Sequence, residues 1–304
     1  MRLAVASDEE KRARDHVTHE TWGGRLDVAS WVEREERLRR HPWPAAAMVS
    51  WLWRDADGAV LSSCETFTMP SSVDGVRGRT WAVASVYTEV ALRKRGHARR
   101  MIDALVARAR SEGAQASTLF SDVGAPIYEA SGYVARPAED LVFPPAPGAA
   151  GAGVDALLDE TVDVDAPEEG FTVWPDKAQL DWHLERTRAY AELWKRPPMP
   201  SVGARAGEAV AMWAVDWHNE RLTVLLLDAV RSHEAEALVQ AARRTAGAMH
   251  LREVRLWAQP WPFPGRADLG GDRVARVGSL PMIAPLVPSL RAEMWTQIPR
   301  AVWV

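Results

Sequence analysis

The sequence predicts an α/β protein of two domains. Three observations carry that expectation. Runs of β-branched and aromatic residues alternate with amphipathic helical stretches. A Pro/Gly/Ala-rich stretch divides the chain near its middle. At 304 residues, with 47% of them apolar, the chain is long for one compact domain and can bury two sizeable cores.

In the first half, residues 8–20 and 27–40 read as helices. Residues 46–53 and 59–68 read as strands about a turn at Asp55, Ala56, Asp57 and Gly58. Residues 80–90 are β-branched and aromatic and read as a further strand. In residues 98–112, Ala98, Met101, Ile102, Leu105, Val106 and Ala109 form one helical stripe, and Gly113 supplies a stop. A strand at 116–120, a short helix starting near Ala125 and a strand at 141–143 complete this half.

The Pro/Gly/Ala stretch and the acidic run after it define a linker at 144–170. The expected domains are 1–143 and 171–304. In the second, residues 176–194 read as a helix capped by Asp176. Residues 209–217 and 221–227 read as a hairpin, followed by a helix capped by Ser232 and a strand at 253–259. The strand–strand–helix–strand order repeats that of the first half.

Composition narrows the function. A net charge of -4 and a pI near 6.1 give no global basic surface, so neither nucleic acid nor a membrane is expected as partner. No apolar run reaches the roughly 18 residues of a membrane span, and the N-terminus turns charged at once. The expected location is the cytoplasm. The single cysteine, Cys64, reads as a packing residue. His16 and His19 could share a helix face, but no Cys or His cluster accompanies them, so no metal is expected.

The chemistry concentrates between the 80–90 strand and the 98–112 helix. Arg93, Lys94, Arg95, Gly96, His97 and Ala98 occupy that turn. A helix N-terminus offers unpaired N–H groups and partial positive charge. Gly96 and Ala98 let the backbone approach an anion, and the three cations add charge. The six residues match [Gln/Arg]-x-x-Gly-x-[Gly/Ala], and so resemble the pyrophosphate loop of GNAT acetyltransferases. Residues 121–133 resemble the second signature of that family: Ala125, Tyr128 and Gly132 match, while Asp122, Ile127 and Tyr133 replace Asn, Phe and Phe.

The resemblance implies a GNAT fold, with a central mixed, splayed β-sheet flanked by helices. It also implies acetyl-CoA as cosubstrate. Val86, Tyr87 and Thr88 would line the acetyl-pantetheine arm, and Arg93, Lys94, Arg95, Gly96, His97 and Ala98 the pyrophosphate. Tyr128 maps to the general acid that protonates the leaving thiolate. An acceptor ammonium must first lose a proton, and Glu89 and Asp122 are the candidate bases. Asp122, just ahead of a short helix, also reads as an N-cap. His97 reads as a helix-start residue and not as a base.

A narrower likeness extends along the chain. Ser85, Val86, Tyr87 and Thr88, residues 119–124, residues 212–216 with 222–225, and residues 272–282 resemble the fungal L-lysine N-epsilon-acetyltransferases. The segment 228–231 before the second-half helix has no glycine loop, so the C-terminal half reads as a degenerate GNAT-like α/β domain without its own CoA site. The likeness implies a small-molecule amine partner, free L-lysine or a related amino acid. Alternatives are an aminoglycoside, a polyamine, or a CoA-binding regulatory or protein-modifying role.

Overall fold

The structure is a computed structural model that describes residues 1–148, 153–163, 168–258 and 269–304. The chain divides into two compact units. One comprises Met1–Pro137, Val277–Met294 and Val304; the other comprises Ala138–Arg276 and Trp295–Trp303.

The first unit opens with β1 (Arg2–Val5) and α1 (Asp8–Trp22). A capping box starts α1: Ser7 Oγ accepts from the Glu10 N–H at 3.3 Å, and the Glu10 carboxylate accepts from the Ser7 N–H at 2.9 Å. Asp27 caps α2 (Val28–Arg40). Then come α3 (Pro42–Ala47), β2 (Met48–Arg54), β3 (Val60–Val73) and β4 (Val76–Tyr87). After them lie α4 (His97–Ser111), β5 (Ala116–Ser121), α5 (Pro126–Glu129) and β6 (Val134–Ala135).

The strands run in the order β1-β2-β3-β4-β5, followed by the late strand Leu280–Pro285 and then β6. Only the β4–β5 pair is parallel in that series. The stripe read from residues 98–112 is buried as expected. Met101, Ile102, Leu105, Val106 and Ala109 share one core cluster with Trp51, Trp81, Val83 and Leu119. Truncating one of these large side chains to Ala costs about 2–5 kcal/mol.

The second unit contains β7 (Glu139–Phe143), β8 (Asp155–Leu157), β9 (Phe171–Val173), α6 (Lys177–Leu193), β10 (Gly203–Ala206), β11 (Ala209–Asp216) and β12 (Arg221–Asp228). It continues with α7 (Ser232–Ala248), β13 (Glu253–Trp257) and β14 (Asp272–Ala275). Its sheet has the order β14-β7-β13-β12-β11-β10-β8. Asp176 caps α6 through a 2.7 Å bond from the Gln179 N–H. Trp213, fully buried, anchors the core with Leu222, Val224, Leu238 and Leu256.

Four local expectations change. Residues 141–143 belong to β7, which pairs with β13 and β14 in the second unit. The late strand Leu280–Pro285 pairs with β5 in the first. Each strand covers a sheet edge that would otherwise carry unpaired N–H and C=O groups. Periodicity identifies a strand but not the edge it joins. The expected linker 144–170 includes β8, which pairs with β10, while residues 149–152 and 164–167 lie outside the described residues. Finally, the N-cap of α7 is Arg231; Ser232 is already the first helical residue.

Candidate active site

Strands β4 and β5 are in register at Thr80–Ala116, Trp81–Ser117, Ala82–Thr118 and Val83–Leu119. Pairing ends there, although β4 runs on to Tyr87 and β5 to Ser121. The two strands therefore part toward their C-terminal ends, leaving main-chain groups of Ala84–Tyr87 without a β5 partner. On its other side β4 carries a bulge. Glu65 faces Ala84 and Ser63 faces Tyr87, so Ser85 and Val86 together oppose Cys64. Ser85 takes φ 52°, the left-handed conformation that a bulge of this kind requires.

An arginine that sequence reading missed holds this bulge. Arg14, buried in α1, donates from Nη2 to the Ser85 carbonyl at 3.0 Å and from Nε to Ser63 Oγ at 3.2 Å. Its Nη1 donates to Glu65 Oε1 at 3.3 Å. Glu65 is itself buried. Asp15, the next residue, is fully enclosed and accepts from Arg39; burial pushes its carboxyl up to about 6 despite that arginine. The signal for Arg14 lay only in the positions of Arg14 and Thr18 on one face of α1. A hydropathy reading places such polar residues in solvent.

Past β4, Thr88 Oγ1 lies 2.7 Å from Ser62 Oγ, and the Thr88 carbonyl accepts from Arg93 Nε at 2.9 Å. The Arg93 guanidinium lies 5.7 Å from the centre of the Tyr87 ring. Arg93 thus folds back onto the strand end that precedes the turn. Lys94 at φ 62° and Gly96 at φ 75° turn the chain into α4. Gly96 is the N-cap, no side chain caps the first turn, and that turn holds no acidic residue. Its N–H groups remain available to an anion. Lys94 and Arg95 are exposed beside it.

His97 begins α4 and is buried. Its Nδ1 lies 3.3 Å from Arg100 Nη2; because arginine only donates, Nδ1 accepts and the proton sits on Nε2. Burial, then the charges of Arg100 and Arg95, lower its pKa. It is a neutral packing residue, as expected. The partly covered Ala98 follows.

Tyr128 lies in α5, 8% exposed, and belongs to the core cluster that contains Cys64 and Val83. Burial raises its phenol to about 12, so it stays protonated at neutral pH. The hydroxyl forms no hydrogen bond with a described residue. Its ring packs edge-on to Tyr133, 6.1 Å between centres, and the Tyr133 hydroxyl is occupied by Ser117 Oγ at 2.6 Å. A buried, protonated and uncommitted phenol is a proton donor in search of an acceptor.

Of the two candidate bases, Glu89 is exposed and lines a cavity of about 150 Å³ with Tyr87, Arg14, Val17, Leu61 and Glu10. Asp122 is occupied elsewhere: its Oδ1 accepts from the Ser279 N–H at 2.7 Å and lies 3.3 Å from Ser279 Oγ. Asp122 does not cap α5, whose N-cap is Ala125. It secures the turn that leads into Leu280–Pro285. Among the described residues there is no group of His, Cys, Asp and Glu suited to a metal ion, and no helix long and apolar enough to cross a membrane.

Residues 8–135 match the acetyltransferase (GNAT) domain family, and residues 155–283 match the LYC1 GNAT-like C-terminal domain. A lysine acetyltransferase of Yarrowia lipolytica is 23% identical, covering 84% of this chain and 83% of its own. A conserved protein of Enterococcus faecalis V583, described as a probable N-acyltransferase, has a TM-score of 0.56 at 13% identity, over 94% of this chain and 72% of its own. A GCN5-related N-acetyltransferase from Kribbella flavida has a TM-score of 0.53 at 17% identity, over 94% and 72%. The two solved structures share the fold. The chain belongs to the GNAT N-acetyltransferases, with an N-terminal GNAT domain and a second, GNAT-like domain after it, and it resembles the fungal lysine acetyltransferase.

Proposed function

We propose that the protein transfers an acetyl group from acetyl-CoA to the side-chain amine of free L-lysine or a closely related amino acid. The observation that carries the acetyl-CoA reading is the parting of β4 and β5 after Val83 and Leu119, directly ahead of a glycine-led, uncapped helix. An extended arm fits a gap between two strands, and a diphosphate fits free N–H groups at a helix start.

Bound there, acetyl-CoA supplies an activated acyl carbon and a thiol leaving group. The remaining work falls to the chain. The first-turn N–H groups of α4, with Lys94 and Arg95, hold the diphosphate. Main-chain groups of Val86, Tyr87 and Thr88 orient the arm, and Arg93 and Ser62 keep that strand end in place. The Arg14-pinned bulge fixes the direction of the Val86 amide. Tyr128 delivers the proton to the departing sulfur. Glu89 takes the proton that an acceptor ammonium, with a pKa near 10.4, must lose.

The substrate reading rests on the lysine acetyltransferase relative and on the match to the LYC1 GNAT-like C-terminal domain. The cavity beside Glu89 is consistent with it. Its aliphatic wall of Ala13, Val17, Leu52 and Leu61 suits an alkyl chain, and Glu89 suits an ammonium. A polyamine would suit the same cavity, so the test includes one. Purified protein and acetyl-CoA are incubated with L-lysine, L-ornithine, cadaverine, spermidine or kanamycin, and free thiol is followed. Release with L-lysine well above cadaverine and spermidine is expected. Release with spermidine or kanamycin alone would overturn the substrate and leave the acyl chemistry standing. Absence of acetyl-CoA binding would overturn both.

A further inference from the structure

The second unit holds an arginine that nothing in the acyl-transfer reading uses. Arg300 begins the short turn Arg300–Val302. Its guanidinium carbon lies 4.0 Å from the centre of the Trp303 ring and 5.3 Å from that of Trp257, so the group is flanked by two indoles. The stack continues on both sides. Arg276 lies 3.6 Å from the Trp257 ring centre, and Arg186 lies 4.7 Å from that of Trp303 and 5.2 Å from that of Trp182. Three guanidinium groups thus alternate with three indoles in one ladder.

Cation–π contacts act on the faces of a guanidinium and leave its N–H edge unsatisfied. At Arg300 that edge has no partner. Nη1 is sealed from solvent without an acceptor, and the side chain forms no hydrogen bond or ion pair with any described residue. The carboxylates near it are already committed. Asp216 binds Arg221 at 2.8 Å, Asn219 Nδ2 at 2.7 Å and two backbone N–H groups. Asp140 is shared between Arg276 at 3.2 Å and Arg255 at 3.1 Å. Burial, followed by the charges of Arg186 and Arg221, drives the Arg300 pKa well below the ordinary arginine value. A deeply set cation among cations, with no counter-ion among the described residues, is costly. Arg300 as a residue is only partly covered, and of its side-chain nitrogens only Nη1 is both buried and without a hydrogen-bond partner.

We propose that Arg300, flanked by the Trp257 and Trp303 rings, is the receptor for a carboxylate of a small-molecule ligand. A carboxylate is planar, and its two oxygens match the guanidinium fork with two parallel N–H···O bonds. This inference stands apart from the acetyl-CoA reading, since every residue in it lies in the second unit.

The test is a thermal-unfolding titration of the full chain with sodium acetate, sodium chloride or sodium phosphate at one ionic strength, for wild type and for Arg300→Met and Arg300→Lys. Acetate at about a hundred times its dissociation constant should raise the wild-type melting temperature by roughly 4 °C or more. Chloride should not. Arg300→Met should lose the acetate effect, and Arg300→Lys, which keeps the charge without the fork, should lose most of it. If Arg300→Met fails to fold, the Lys variant and the wild-type anion series decide the matter. Wild type indifferent to acetate over chloride would overturn the proposal. So would an acetate effect retained in both variants, or a phosphate effect as large as that of acetate.

Discussion

The two strand-to-helix turns of this chain share a frame and differ in chemistry. In each, an antiparallel pair leads into a helix, and the next strand returns parallel to the strand before it: β3, β4, α4, β5 in one unit and β11, β12, α7, β13 in the other. Each carries a one-residue bulge, at Ser85 and Val86 in β4 and near Leu225 in β12. Parallel pairing stops part way in both, at Val83–Leu119 and at Thr223–Arg255.

Beyond that point they diverge. Val224, Leu225, Leu226 and Leu227 are buried aliphatic residues. Their counterparts Ser85, Val86 and Thr88 remain partly open. Gly96 leads α4 with no acid in its first turn, whereas α7 starts at Arg231 and carries Glu234 there, bonded to Arg231. An internal carboxylate occupies the helix end where an external anion would go. Parting strands belong to the topology. Capacity for a ligand depends on what is left unfilled.

The largest expected effect comes from Tyr128, which has no counterpart role in the second unit. Tyr128→Phe should lower kcat by about 10²–10³-fold and leave the acetyl-CoA dissociation constant nearly unchanged. A wild-type kcat would remove the phenol from the mechanism. Next is Arg14, which distinguishes the pinned bulge from the one near Leu225. Arg14→Gln strands Glu65 without its cation and should cost about 3 kcal/mol in denaturant unfolding. It should also reduce kcat about tenfold, because the Ser85 carbonyl loses its anchor. Stability lost without any change in kcat would make Arg14 purely structural.

Gly96→Val tests the open helix start. A side chain at φ 75° costs roughly 1–2 kcal/mol. Acetyl-CoA affinity by calorimetry should fall about tenfold or more, and wild type should bind one acetyl-CoA per chain. Two per chain would erase the contrast between the turns.

The smallest effect is on the second unit alone. His183 is fully buried, and its Nε2–H donates to the Ala301 carbonyl at 2.7 Å. Burial, then Arg300 and Arg186, hold its pKa well below 6.5. The folded state therefore refuses a proton that the unfolded chain accepts. Its contribution is present above pH 6.5 and is lost as pH falls, by up to about 1.4 kcal/mol per pH unit. Unfolding followed between pH 7 and 5 should show this slope, and His183→Gln should flatten it. An unchanged slope would place the acid sensitivity elsewhere.

Local chemistry was readable wherever neighbours in sequence are neighbours in space. The α4 stripe, the Asp176 cap and the basic Gly96 turn all act within a few residues, so spacing alone specifies them. Arg93 shows where such reading ends. Its place in the loop was legible, but its bond to the Thr88 carbonyl was not. Asp122, read as a base or a cap, binds a residue 157 positions away. Arg14 reaches Ser85 across 71 positions, and the rings and charges around Arg300 include Arg186 and Trp257, both distant from it in sequence.

Taken alone, then, the sequence determined the element types, the basic glycine turn and the family signatures, because backbone propensity, capping and helix polarity are short-range. Only the tertiary structure decided which strand closes which sheet edge and where β4 and β5 separate. It alone decided which buried charges lack a partner. Those outcomes depend on satisfying hydrogen bonds and charges between distant segments, and no local pattern encodes that pairing.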